Sequence, residues 1–180
     1  EGIDSGRILL QVPFPVGKRT INEVNSNMNQ CGYEGTRKLI QIFEKSKNYI
    51  GCEQLPDFQN YWRKRNEHDI TLDPRMSLEM LIKVTNSFVI PYPGARLWIA
   101  PDIYLTILEV KKAHEKDYPP NWFNYEHGYI FSTREDYLVM RVEDDVAEIS
   151  PIEEKHIWKN LYKTKIYPPT FYLQKKYASV

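Results

Sequence analysis

The sequence predicts an α+β fold with a helical N-terminal half, a mostly antiparallel sheet in the second half, and a late helix packing on that sheet. Three observations carry this. Before residue 86, apolar side chains recur at helical spacing, as in Leu39, Ile40, Phe43 and Ile50, or Met76, Met80, Leu81 and Val84. Residues 96–112, RLWIAPDIYLTILEVKK, form the longest nearly uninterrupted apolar run, rich in strand formers, and residues 103–110 read as the centre of the sheet. Ser150-Pro151-Ile152-Glu153 then joins a capping box to proline at a first helical position, which predicts a helix over 151–162.

Taken in order, residues 7–12 are apolar enough for a first strand or arm, stopped by Pro13 and Pro15. Thr20 with Glu23 forms a capping box for a helix over 21–30, which Gly32 and Gly35 are expected to break before a second helix over 36–50. A short helix over 56–68 carries Phe58, Tyr61 and Trp62. Asp73-Pro74 opens another that runs to about Asn86. Residues 88–92 read as a short strand and 91–94 as a turn, after which Pro101 divides or kinks the central stretch. A polar loop over 113–127 holds Pro119-Pro120. Residues 128–142 form a hairpin. The expected organisation is one α+β domain over 1–163, followed by an extended aromatic and basic tail or edge strand over 164–180.

Composition narrows the function classes. Lys+Arg and Asp+Glu balance at 24 each, so no global field marks a protein that coats nucleic acid or an anionic membrane. The balance hides local segregation, because acids gather over 135–154 and lysines over 155–176, which leaves room for a local basic surface. No apolar run reaches membrane-spanning length, so no membrane partner is expected. The lone pair Cys31 and Cys52 and the absence of a glycosylation sequon favour an intracellular setting, cytoplasmic or nuclear. A chain that opens on Glu1 rather than Met reads as trimmed or excised.

No nucleophile elbow, phosphate loop, dinucleotide fingerprint or redox Cys-x-x-Cys is present. Two weaker constellations remain. Pro101-Asp102 with Glu109-Val110-Lys111 loosely resembles the Pro-Asp…Glu-x-Lys pattern of metal-dependent nucleases. That resemblance implies Mg or Mn held by Asp102 and Glu109, with Lys111 steadying the attacking water or the phosphate. On one continuous strand, however, the period of two puts Asp102 and Glu109 on opposite faces. Secondly, His114-Glu115 and Glu126-His127 flank the Pro-Pro loop and would offer four metal ligands if its ends met.

The leading expectation is a non-enzymatic assembly or binding subunit of a larger complex. Thirteen Tyr, seven Phe and four Trp are a heavy aromatic load, and much of it lies in proline-punctuated segments that suit partner contact: Trp122, Phe123 and Tyr125, then Phe171 and Tyr172. A protein partner is the first class. Single-stranded nucleic acid, RNA included, is the second, because rings stack on bases while cations meet phosphates. Its candidate residues are Tyr61, Trp62, Arg63, Lys64 and Arg65, with Lys163, Lys165, Tyr167, Lys175 and Lys176 in the tail.

Overall fold

The computed structural model describes residues 6–55 and 62–172. The chain divides into two compact units, Glu1–Lys64 and Arg65–Val180.

The first unit is built on one helix, α1 (Ile21–Lys45). Thr20 caps it as expected: its hydroxyl accepts from the Glu23 backbone N–H at 3.4 Å, and the Glu23 carboxylate accepts from Thr20 N–H at 2.7 Å. The helix does not break at the glycines. Two interior glycines cost a long helix only about 1 kcal/mol each, and Gly35 is useful, since a Cβ there would lie 3.2 Å from the Val12 side chain. The extended segment before the helix is therefore allowed to approach it closely. Ile8 and Cys52 exchange backbone hydrogen bonds at 2.8 and 2.9 Å, and Tyr49 Oη donates to Leu9 O at 3.1 Å. No described residue of this unit is fully buried.

The second unit is α+β. Its sheet has six strands in the order β1-β2-β3-β6-β5-β4: β1 (Thr71–Leu72), β2 (Ala95–Ala100), β3 (Ile103–Lys112), β4 (Ile130–Thr133), β5 (Leu138–Arg141) and β6 (Val146–Pro151). All pairings are antiparallel except β1 with β2. The apolar run of 96–112 is thus a hairpin, turned at Pro101-Asp102 where Asp102 adopts φ +60°. One face of the sheet, with Leu97, Leu105, Ile107, Val110, Met140 and Ile149, is closed by Leu78 and Leu81 of α2 (Leu78–Ser87) and by Trp158 of α3 (Lys155–Trp158). The late helix does contact the sheet.

Several local expectations change. α2 starts at the Ser77 cap rather than at Asp73-Pro74, because the Asp73 carboxylate accepts from Arg75 N–H at 2.9 Å and closes a turn instead. Residues 88–94 form a turn with a cis Ile90-Pro91 bond, not a strand. Of the helix expected over 56–68, residues 56–61 lie outside the described residues, and 67–70 form a single tight turn capped by Asn66. The 151–162 helix shrinks to α3 and one tight turn, Lys159–Leu161. Ser150 and Pro151 belong to β6, and the Glu153 carboxylate that would have completed the capping box accepts Thr106 N–H at 2.8 and 2.9 Å. Thr106 lies beyond the last β3–β6 pair, Ile107 with Pro151, where β6 ends, and the carboxylate meets the donor left there.

Glu153→Ala should therefore lower unfolding stability by about 1–3 kcal/mol, because a partly buried backbone donor loses its acceptor. Ser150→Ala should leave it within about 0.5 kcal/mol, since that hydroxyl caps no helix. Urea melts of both variants check this, and the reverse order of sensitivities would restore the longer helix.

Candidate binding surface

The second face of the sheet begins with Val139 and Arg141 of β5, Val146 and Glu148 of β6, and Ala113 just past β3. Residues 114–125 lie over it as a strap, since the two prolines exclude regular pairing while Tyr118 and Trp122 pack on Ala113, Val139 and Val146. Polar ties hold the strap. Tyr118 Oη donates to the Asp145 carboxylate, and Lys112 Nζ lies 2.9 Å from the same group. Arg134 pairs with buried Asp117 at 2.7 Å, and the Arg141 guanidinium lies 4.7 Å from the Trp122 ring centre. Burial pushes the Tyr118 phenol up to about 12, aided by the Asp145 charge. Burial alone would raise the Asp145 carboxyl; the bonds from Tyr118, Lys112 and Val146 N–H outweigh it and hold the group below its ordinary value.

A second segment, residues 162–172, is laced beside the strap. Tyr129 bridges Lys165, Ile166 N–H donates to Gly128 O at 2.9 Å, and Ile130 N–H donates to Thr164 O at 2.9 Å. Gly128 permits the approach, because at φ +87° a Cβ would stand 2.0 Å from Ile166 O. Lys165 Nζ reaches Glu126 at 2.8 Å and lies 5.2 Å from the Tyr167 ring centre. Two stretches some forty residues apart thereby meet, each with its own ring cluster: Tyr125, Tyr129 and Phe131 with centroids 4.8–5.4 Å apart, and Tyr167 stacked on Phe171 at 4.5 Å.

The expected partner residues divide by exposure. Phe123 is 62% exposed, Phe171 43% and Tyr125 40%, while Trp122 is half-buried beneath Arg141 and Tyr172 is buried, its hydroxyl accepting Tyr167 N–H at 3.2 Å. Among the expected nucleic-acid residues, Lys163 lies 5.1 Å from the Tyr162 ring centre and Lys165 is paired as above. Trp62, Arg63 and Lys64 belong to the first unit and Arg65 to the second, so the aromatic-basic cluster of 61–65 straddles the boundary between them. Tyr61, Lys175 and Lys176 lie outside the described residues.

The nuclease-like trio does not assemble. Asp102 sits in the β2–β3 turn, and about seven strand residues, roughly 20 Å, separate it from Glu109. Lys111 does meet Glu109, at 3.7 Å, but its closer carboxylate is Glu148 at 3.3 Å, which the sequence reading missed. Those two acids hold the Lys111 ammonium above its ordinary value, Glu148 first. Glu148 is 1% exposed and also accepts His114 N–H at 3.3 Å. A lone acid inside an apolar strand was its only sign. Nor do His114, Glu115, Glu126 and His127 converge. Among the described residues no group of three His, Cys, Asp or Glu could hold a metal ion. No helix of the described residues is long and apolar enough to cross a membrane.

No protein-family model matches the chain, and no curated protein does. Solved structures of HypX from Aquifex aeolicus do. A multiple-alanine variant superposes with a TM-score of 0.63 at 11% identity, covering 89% of this chain and 30% of that one. HypX in complex with tetrahydrofolic acid gives 0.62 at 12% identity, covering 89% and 28%. A variant carrying two phenylalanine substitutions gives 0.59 at 12%, covering 83% and 25%. At such identity the likeness is one of fold, and this chain spans less than a third of the HypX chains it matches.

The strap ties predict a pH response with two limbs. The Asp145 contribution, from a depressed pKa, should be fully present above about pH 4 and lost as pH falls through the lower folded value. The Tyr118 contribution, from a raised pKa, should be complete below about pH 10 and lost as pH rises toward 12. Tyr118→Phe should remove that tyrosine's share of the alkaline limb, leaving the shares of Lys112 and Tyr172, and should move the Asp145 carboxyl titration upward by NMR. An unchanged Asp145 midpoint in that variant would show that the phenol does not hold it.

Proposed function

We propose that this chain is a binding or assembly module of a larger protein complex, docking on a protein partner through the aromatic surface of the strap and the 162–172 segment. The observation that supports this is that the 162–172 segment is held against residues 126–130, just past the strap, while Phe123, Tyr125, Tyr167 and Phe171 all stay exposed. Large exposed rings on a pre-ordered surface are what interface hot spots are made of, because they bury much area while losing little conformational freedom. Lys165, the cation nearest these rings, is already matched by Glu126, which favours a protein groove over a phosphate backbone.

Interacting proteins captured from the source cells should be lost from a Phe123→Ala/Phe171→Ala bait by at least about thirty-fold, corresponding to roughly 2 kcal/mol at a hot spot. The bait's melting temperature should stay unchanged. Identical capture by bait and wild type would remove the surface from consideration. Affinity that collapses between low and moderate salt would move the reading to nucleic acid.

A second reading draws on the fold likeness to the HypX chain solved with tetrahydrofolic acid: the module belongs to a larger folate-binding enzyme. Calorimetric titration of tetrahydrofolate into this chain tests whether the module itself holds the ligand. Saturable micromolar heat would support that, and no heat would leave the aromatic docking surface as its contribution.

A further inference from the structure

The second face of the sheet continues beyond the strap onto β2 and β3, and there it changes character. Ala95 and Leu97 point into the core, so alternation sends Arg96 and Trp98 to the opposite face, where they pair across the hairpin with Thr106 and Tyr104. Tyr104 brings these two side chains together. The Arg96 guanidinium carbon lies 4.5 Å from the Tyr104 ring centre, and the Trp98 ring centre lies 5.3 Å from it at 63°. Both residues are left with a buried donor that has no acceptor, Arg96 Nε and Trp98 Nε1. Each such orphan costs about 1–3 kcal/mol, and native proteins keep few of them. Two of them meeting on one tyrosine mark the place of an absent acceptor.

We propose that Arg96, Trp98 and Tyr104 form a recognition site for a carboxylate ligand. A guanidinium and an indole are donors only, so the missing group is an acceptor. A guanidinium lying on a ring presents its edge, and a planar carboxylate takes a forked pair of N–H donors in that plane. The Arg96 side chain is 23% exposed, so part of it is reached from solvent. The local charge selects a monoanion. Arg96 is the cation of the trio, and Glu67 already lies 4.0 Å from it. A phosphate dianion would meet one positive charge already shared with an acid. This site uses a different part of the sheet from the aromatic surface and stands or falls separately from it.

The test follows the indole N–H signals of the full chain by NMR, with Trp98→Phe assigning the relevant peak. Acetate, and then a blocked glutamate peptide, should shift the Trp98 signal along a saturable curve, with the matching glutamine peptide and chloride causing no saturable shift. Inorganic phosphate should bind more weakly than acetate. Arg96→Lys, which keeps the charge and loses the fork, should weaken acetate at least ten-fold. Equal affinity in Arg96→Lys, tighter binding of phosphate, or a drift that chloride reproduces would each overturn the assignment. If the lysine variant does not fold, competition between acetate and phosphate on the unaltered chain decides it, since displacement of acetate by equimolar phosphate is the reverse of the expected order.

Discussion

The second unit depends on one short turn, Val142 to Asp145, between β5 and β6. Its two consecutive aspartates work on opposite sides of the sheet. Asp144 accepts the Leu78 N–H at 2.8 Å and so anchors the start of α2 above the main core. Asp145 takes the Tyr118 hydroxyl, the Lys112 ammonium and its neighbour's N–H, and so anchors the strap below. Each element buries donors that would otherwise be unpaired, and each finds its acceptor on the same turn. Both coverings of the sheet are thus registered to a single point on its most buried pair of strands, where every residue of β5 is buried.

Polar groups in this unit repeatedly serve to hold the sheet and its coverings together. Lys111, Glu109 and Glu148 form an ion cluster that closes the second face where β3 leaves the apolar core. A charge such as Glu148, removed from water inside a strand, is tolerated only with close partners, and Lys111 and the His114 N–H supply them. Arg141 shows the same logic with a less complete solution. Burial lowers its guanidinium's pKa, the Trp122 ring covers it, and its Nε has no acceptor. The rim of the strap is accordingly held by charge and its middle by rings.

The two units differ in how they are stabilised. Around the sheet, the apolar face carries a continuous core from Leu72 to Ile166. In the first unit, α1 lays Ile21, Val24, Leu39 and Ile42 only half-buried against the segment that precedes it. A long amphipathic helix without a fully buried residue draws little from tertiary packing, so its capping box and the bridge between Ile8 and Cys52 matter more than similar features elsewhere. Such an element gains stability from anything that covers its apolar stripe.

Local chemistry was legible in the sequence wherever neighbours in the chain settle the outcome. The Thr20 capping box, the β-bearing run of 96–112 with its division at Pro101, the 128–142 hairpin and the α+β class all follow from residues within a few positions of one another. What the tertiary structure decided are the places where a side chain had two partners to choose from. Glu153 could complete a capping box or meet the strand donor at Thr106, and the end of β6 at Pro151 left that donor to it. Gly35 could end a helix or admit a neighbour, and the packed Val12 segment settled that. The docking of residues 162–172 needed the tertiary structure too, since its rings were countable in the sequence while its place rests on Gly128 meeting Ile166, a contact across nearly forty residues. No local pattern encodes such a contact, because its free energy appears only once the sheet has brought both segments to the same edge.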